Sequence, residues 1–182
     1  MKSREKAVLA ALRLPSQPRV VVEESLDELG RLAESAGAKV VGRATQDRRA
    51  PTPGLYFGKG KVEEIKTLPR RQGADLMISD DSLSPIQERN LGGSIGVRVI
   101  DRTALILDIF AQRARTMEGK LQVELAQLSY LLPRLVGQWK HLERTGGGIG
   151  TRGPGEMQIE SVRRIIRHRI QKIRGELQRV RT

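Results

Sequence analysis

The chain has 182 residues, enough for one domain, or one domain with a protruding element, around a real core. Its 33 lysines and arginines against 21 acidic residues leave a net charge of +12, which points to a polyanionic partner, RNA or DNA before a membrane. It has no cysteine, which excludes disulfides, thiolate metal sites and cysteine nucleophiles and predicts a cytoplasmic protein; with 3% aromatic residues, base stacking explains the charge poorly.

Ala7 to Leu12 is apolar but too short to span a membrane, and periodicity leaves the run up to Pro15 open between strand and helix. Glu24 to Ala36 reads as an amphipathic helix with Leu26, Leu29, Leu32 and Ala33 on one face and Gly37 closing it. Val40-Val41 is a strand, Thr45 to Gly54 a loop, and Lys61 to Leu68 a helix that Pro69 stops. Leu76 to Ile78 is the next strand. Ser84, Pro85 and Gln87 then form a capping box that starts a helix running to about Leu91, where Gly92-Gly93 ends it, and Val97 to Ile100 is the last strand. Strands alternating with helices predict a small parallel sheet covered on both faces.

From Thr103 the rhythm becomes helical as far as about Leu142, interrupted near Gly119 and kinked at Pro133. Ile159, Val162, Ile166, Ile170, Ile173, Leu177 and Val180 then mark a second long helix, opening near Glu156. Two such helices should pack antiparallel, with the loop 144–156 at their tip. That loop is rich in glycine and carries Arg144 and Arg152, so it can take unusual dihedrals and reach a phosphate. Arg163, Arg164, Arg167, Arg169, Lys172 and Arg174 spread over the face opposite the apolar stripe, where like charges repel unless a polyanion neutralises them.

Three enzyme-like motifs fail on context. Gly148, Gly150 and Gly153 have dinucleotide-fingerprint spacing, but a helix precedes them where that motif needs a strand. Gly92 to Gly96 fits G-x-S-x-G but passes from helix to strand, the reverse of a nucleophile elbow. Gly58, Lys59, Gly60 and Lys61 resemble half of a nucleotide-binding loop, yet Val62 stands where the magnesium-binding hydroxyl would be, and a plain helix start accounts for them better. His141 and His168 lack ligand spacing and read as surface residues, so no metal site is predicted.

Taken together, several blocks resemble the N-terminal part of the HflX-type ribosome-associated GTPases: GKGKVEE at 58–64, LSPIQ at 83–87 followed by Arg89-Asn90, VRVIDRT at 97–103, LDIFAQRAR at 107–115, EGKLQVELAQ at 118–127, YLLPRL at 130–135 and GGGIGTRGPGE at 146–156. The resemblance implies that Ala7 to Leu14 is the first of four parallel strands. It implies an α/β subdomain over 1–102 and a helical hairpin over 103–182, with GTP and magnesium bound only by a further GTPase domain not contained in these residues. It also implies that the chain binds the large ribosomal subunit and its rRNA, in a family that separates stalled or stressed ribosomes. By that likeness Arg144, Gly146, Gly147, Gly148, Gly150, Arg152, Gly153 and Gly155 would enter rRNA near the peptidyl-transferase centre. Arg163, Arg164, Arg167 and Lys172 would supply the basic face of a monomer that makes no membrane contact. The competing expectations are an ATPase or RNA-helicase-like module holding nucleotide at Gly58 to Lys61 or at the glycine-rich loop, and a protein-interaction module that dimerises through its hairpin.

Overall fold

A computed structural model describes residues 4–146 and 154–181, with side chains described for 4–135 and 158–180. The chain divides into two compact units, Met1–Ile109 and Phe110–Thr182. In the first, every residue from Ala7 to Leu12 is buried along β1 (Lys6–Arg13), a strand with a helical layer on each face. Alternation divides it between two cores. Ala7, Leu9 and Ala11 join Leu26, Leu29 and Ala33 of α1 (Arg19–Ser35) and Leu105 and Ile109 of α4 (Arg102–Arg113). Ala10 and Leu12 join Val62 and Ile65 of α2 (Lys59–Gln72) and Leu91 and Ile95 of α3 (Pro85–Ile95).

The remaining strands are β2 (Lys39–Asp47), β3 (Leu76–Ser79) and β4 (Arg98–Asp101), and the sheet is wholly parallel in the order β2-β1-β3-β4. The predicted four-stranded α/β architecture is therefore present, and so is the helical pair after it. In the second unit α5 (Met117–Gly146) and α6 (Pro154–Arg181) pack on each other.

Several boundaries differ from the sequence reading, each for a local reason. β2 continues through Thr45 to Asp47 because it is an edge strand whose outer residues stay polar, which hides the apolar signal; a bulge opposite Ala7 and Val8 shifts its register. Pro69 does not stop α2. It lies buried in the last turns, and Gly73 closes the helix in the left-handed region at φ 63°, donating its N–H to the Pro69 carbonyl. Gly92-Gly93 does not stop α3 either: Leu91 and Ile95, both buried one turn apart, carry the helix through, and Gly96 at φ 82° ends it.

The break in the long helical stretch falls just before Gly119. Thr116 Oγ1 accepts from the Gly119 N–H at 3.0 Å and so caps α5, and a Cβ at Gly119 would lie 2.9 Å from that hydroxyl. Pro133 lies within α5, which passes through it without ending.

Candidate nucleic-acid interface

Helix α6 separates its residues by face. Ile166, Ile170, Ile173 and Leu177 are buried, and Ile173 and Leu177 pack on Leu121 of α5, flanked by Leu125 and Leu128. One helical step along, Arg169 donates to Glu124 through Nε at 2.6 Å and Nη2 at 2.7 Å, so the two helices run antiparallel. This fork holds the Glu124 carboxyl below the usual carboxylate range and raises the Arg169 guanidinium.

The six cations from Arg163 to Arg174 therefore fall into two groups. Arg169 belongs to the seam between the helices and not to the outer face. Arg163 is partly buried and donates to Glu160 at 3.2 Å. Arg164, Arg167, Lys172 and Arg174 are exposed, Arg167 lying 3.7 Å from Glu160. On α5, Arg134 folds back one turn along its own helix, 3.4 Å above the Tyr130 ring centroid.

Of the glycine-rich segment, Gly146 is the last residue of α5, and Gly155 lies in the first turn of α6, which opens at Pro154, two residues before Glu156. Gly147, Gly148, Gly150, Arg152 and Gly153 lie outside the described residues, as does the side chain of Arg144.

The second candidate segment starts α2. Gly58 is the residue before the helix, and its N–H donates to Gln46 Oε1 at 2.9 Å; a Cβ there would come within 2.3 Å of Arg48 Nη1. The turn leading into it is held from α3, where Gln87 donates to the Thr52 carbonyl at 3.0 Å and Asn90 to that of Gly54 at 2.9 Å. Lys61 is bonded to Glu64 at 2.6 Å and lines an open cleft of 270 Å³ with Arg13, Arg19, Thr45 and Asp47. Asp47 accepts a two-pronged bond from Arg13, 2.8 Å on each side, which lowers its pKa.

Ligands of open α/β sheets bind where strand order reverses, here between the carboxyl ends of β1 and β3. That position is occupied by the chain's own groups. Asp80 accepts from Arg102 Nε at 3.0 Å and from Ser25 Oγ at 2.7 Å, and Arg102 reaches Glu28 at 3.1 Å. Asp81 accepts the Leu12 N–H at 3.1 Å, and burial pushes its carboxyl upward. Buried Asp101 accepts from the Leu83 and Ala104 N–H groups, both at 3.0 Å, which caps α4. A phosphate entering there would meet carboxylates. Among the described residues no cluster of three or more His, Asp or Glu could hold a metal, and no helix is long and apolar enough to cross a membrane.

Residues 23–111 match the family described as GTP-binding GTPase N-terminal, and residues 113–182 match the GTP-binding GTPase middle region. The two units are thus the N-terminal and middle regions of a GTP-binding protein. The chain is 52% identical over 177 residues to GTPase HflX of Caldanaerobacter subterraneus subsp. tengcongensis, covering 97% of this chain and 40% of that protein. It is 55% identical over 157 residues to GTPase HflX of Escherichia coli, covering 86% and 37%. With these matches, the chain belongs to the HflX-type GTPases.

The crystal structure of SsGBP with GDP superimposes with a TM-score of 0.68 at 25% identity, over 97% of this chain and 44% of that one. A GTP-binding protein from the archaeon Sulfolobus solfataricus in complex with GDP shares the fold at TM-score 0.63 and 24% identity, over 97% and 46%. The chain spans about two fifths of the length of the curated relatives it matches. The matched regions are the non-catalytic N-terminal and middle ones, and the GTPase region of the relatives falls outside them.

Proposed function

We propose that this chain is the ribosome-docking part of an HflX-type GTPase: a cytoplasmic, monomeric module over 1–102 and 103–182 that binds rRNA of the large subunit. The whole protein would separate stalled ribosomes under stress, with GTP and magnesium taken by its GTPase region. The observation that carries the reading is the segregation on α6, where an apolar stripe faces α5 and exposed Arg164, Arg167 and Lys172 face away from it. A cationic face of this kind gains free energy by releasing the counterions of a phosphate backbone. The segment 144–156, with Arg144 and Arg152, would contact RNA at the end of that face.

Co-sedimentation of the chain with purified ribosomal subunits tests the reading. Binding to the large and not the small subunit, weakening steeply as salt rises and abolished at moderate salt by the double change Arg144→Glu and Arg152→Glu, is expected. Absence of large-subunit binding at low salt would remove the reading. Heat released on adding an adenine nucleotide would favour the ATPase or helicase-like alternative at Gly58 to Lys61, and a doubled mass in size exclusion would favour the dimerising one.

A further inference from the structure

We infer that the outermost ridge of α6 is the line along which the RNA backbone lies, with Gly175 as its point of closest approach. This rests on the proposed RNA-binding role and adds to it a contact residue and a geometry. At about 100° per residue, Arg164, His168, Gln171, Lys172, Gly175 and Arg179 share one narrow face. That face is diametrically opposite Ile166, Ile170, Ile173 and Leu177, all buried, the last two against Leu121 of α5. Apart from Gly175, which is partly exposed, every member of the ridge is exposed. The one carboxylate between Arg164 and Arg179, Glu176, lies off the ridge and acts on Arg169 at the seam.

Gly175 has no reason within the chain. It lies inside a helix, where glycine is the least favourable residue but proline. Its φ is not in the left-handed region, and a Cβ built on it meets nothing within 4 Å. Several other glycines are accounted for by the fold: Gly73 and Gly96 take positive φ, and Gly119 stands against its cap. Gly60 of α2 and Gly93 of α3 are equally open, but Gly60 has Glu63 and Glu64 one turn on and Gly93 has no row of cations beside it. At Gly175 the bare backbone sits in the middle of this ridge, between Lys172 and Arg179. The missing side chain lets a sugar-phosphate strand come against the helix there while the flanking cations reach its phosphates from either side.

The test is Gly175→Ala and Gly175→Leu in the full 182-residue chain, with Gly93→Leu as control, read by large-subunit binding over a salt series and by thermal unfolding. Alanine should stabilise the helix yet weaken binding by on the order of fivefold, and leucine should weaken it by more than about tenfold, as overfilling a tightly packed site does. The slope of log affinity against log salt should not change, because no charge is removed. Gly93→Leu should bind as the unchanged chain does.

If both Gly175 variants bind normally, the close approach is wrong while the rRNA reading stands. If the unchanged chain fails to bind at low salt, the rRNA reading itself is wrong and this inference goes with it. An equal loss in Gly93→Leu, or binding by the unchanged chain that ignores salt, would also overturn the inference, the latter by assigning the ridge to a protein surface.

Discussion

Glu124 and Arg169 meet across the helical pair in a two-pronged bond, 2.6 and 2.7 Å, that lies at the border between the apolar seam and the exposed face. The bond lowers the carboxyl pKa from its ordinary 4.5, so its contribution to stability is complete above that value and disappears as pH falls through the lower folded one. Glu124→Gln should therefore melt below the parent chain at pH 7, and the two should converge in acid below pH 4.5. Melting curves recorded across that range check it; a gap that persists in acid would mean the carboxylate acts through packing.

Asp101 joins the sheet to the helix that follows. Its two oxygens accept from Leu83 and Ala104 inside a fully buried site, so Asp101→Ala leaves two N–H groups without these acceptors. The loss expected is about 2–4 kcal/mol by the cost of stranding buried donors. Urea unfolding of the α/β unit measures it, and Asp101→Asn, which keeps one acceptor, should fall between the two.

Which glycine ends α3 separates the sequence reading from the structure. Gly96 has φ 82°, so Gly96→Ala should destabilise by roughly 1 kcal/mol. Gly93 is helical with open space around it, so Gly93→Ala should stabilise by up to about 1 kcal/mol. Paired urea midpoints decide between them, and the opposite ordering would restore the helix end to Gly92-Gly93.

What could be read from the residues follows from how local each signal is. The capping box at Ser84 and the two-sided burial that parallel strands require are properties of short segments, and both are present. The stop at Gly96 and the length of β2 depend on partners distant in sequence, since Leu91 and Ile95 pull the helix onto a core and β1 pairs with a strand that shows no apolar run. The same holds at the interface. That α6 is cationic opposite its stripe is legible in the sequence, but the division of its arginines is not. Arg169 is removed from the outer face by Glu124, forty-five positions earlier, and only the register of the two helices brings them together.

That division predicts unequal consequences for charges that look alike in sequence. Arg164→Gln and Lys172→Gln should each weaken large-subunit binding and reduce the salt slope by about 0.7–0.9 for each phosphate left without its cation. Arg169→Gln should leave the slope nearly unchanged, since its charge is already neutralised by Glu124, while lowering the melting temperature of the helical pair. Arg163→Gln should behave more like Arg169 than like Arg164, because it is partly buried and bonded to Glu160. Affinities measured at several salt concentrations for the four variants, alongside their melting curves, resolve the pattern. Equal slopes for Arg164→Gln and Arg169→Gln would show that total charge, and not the face opposite the seam, governs the attraction.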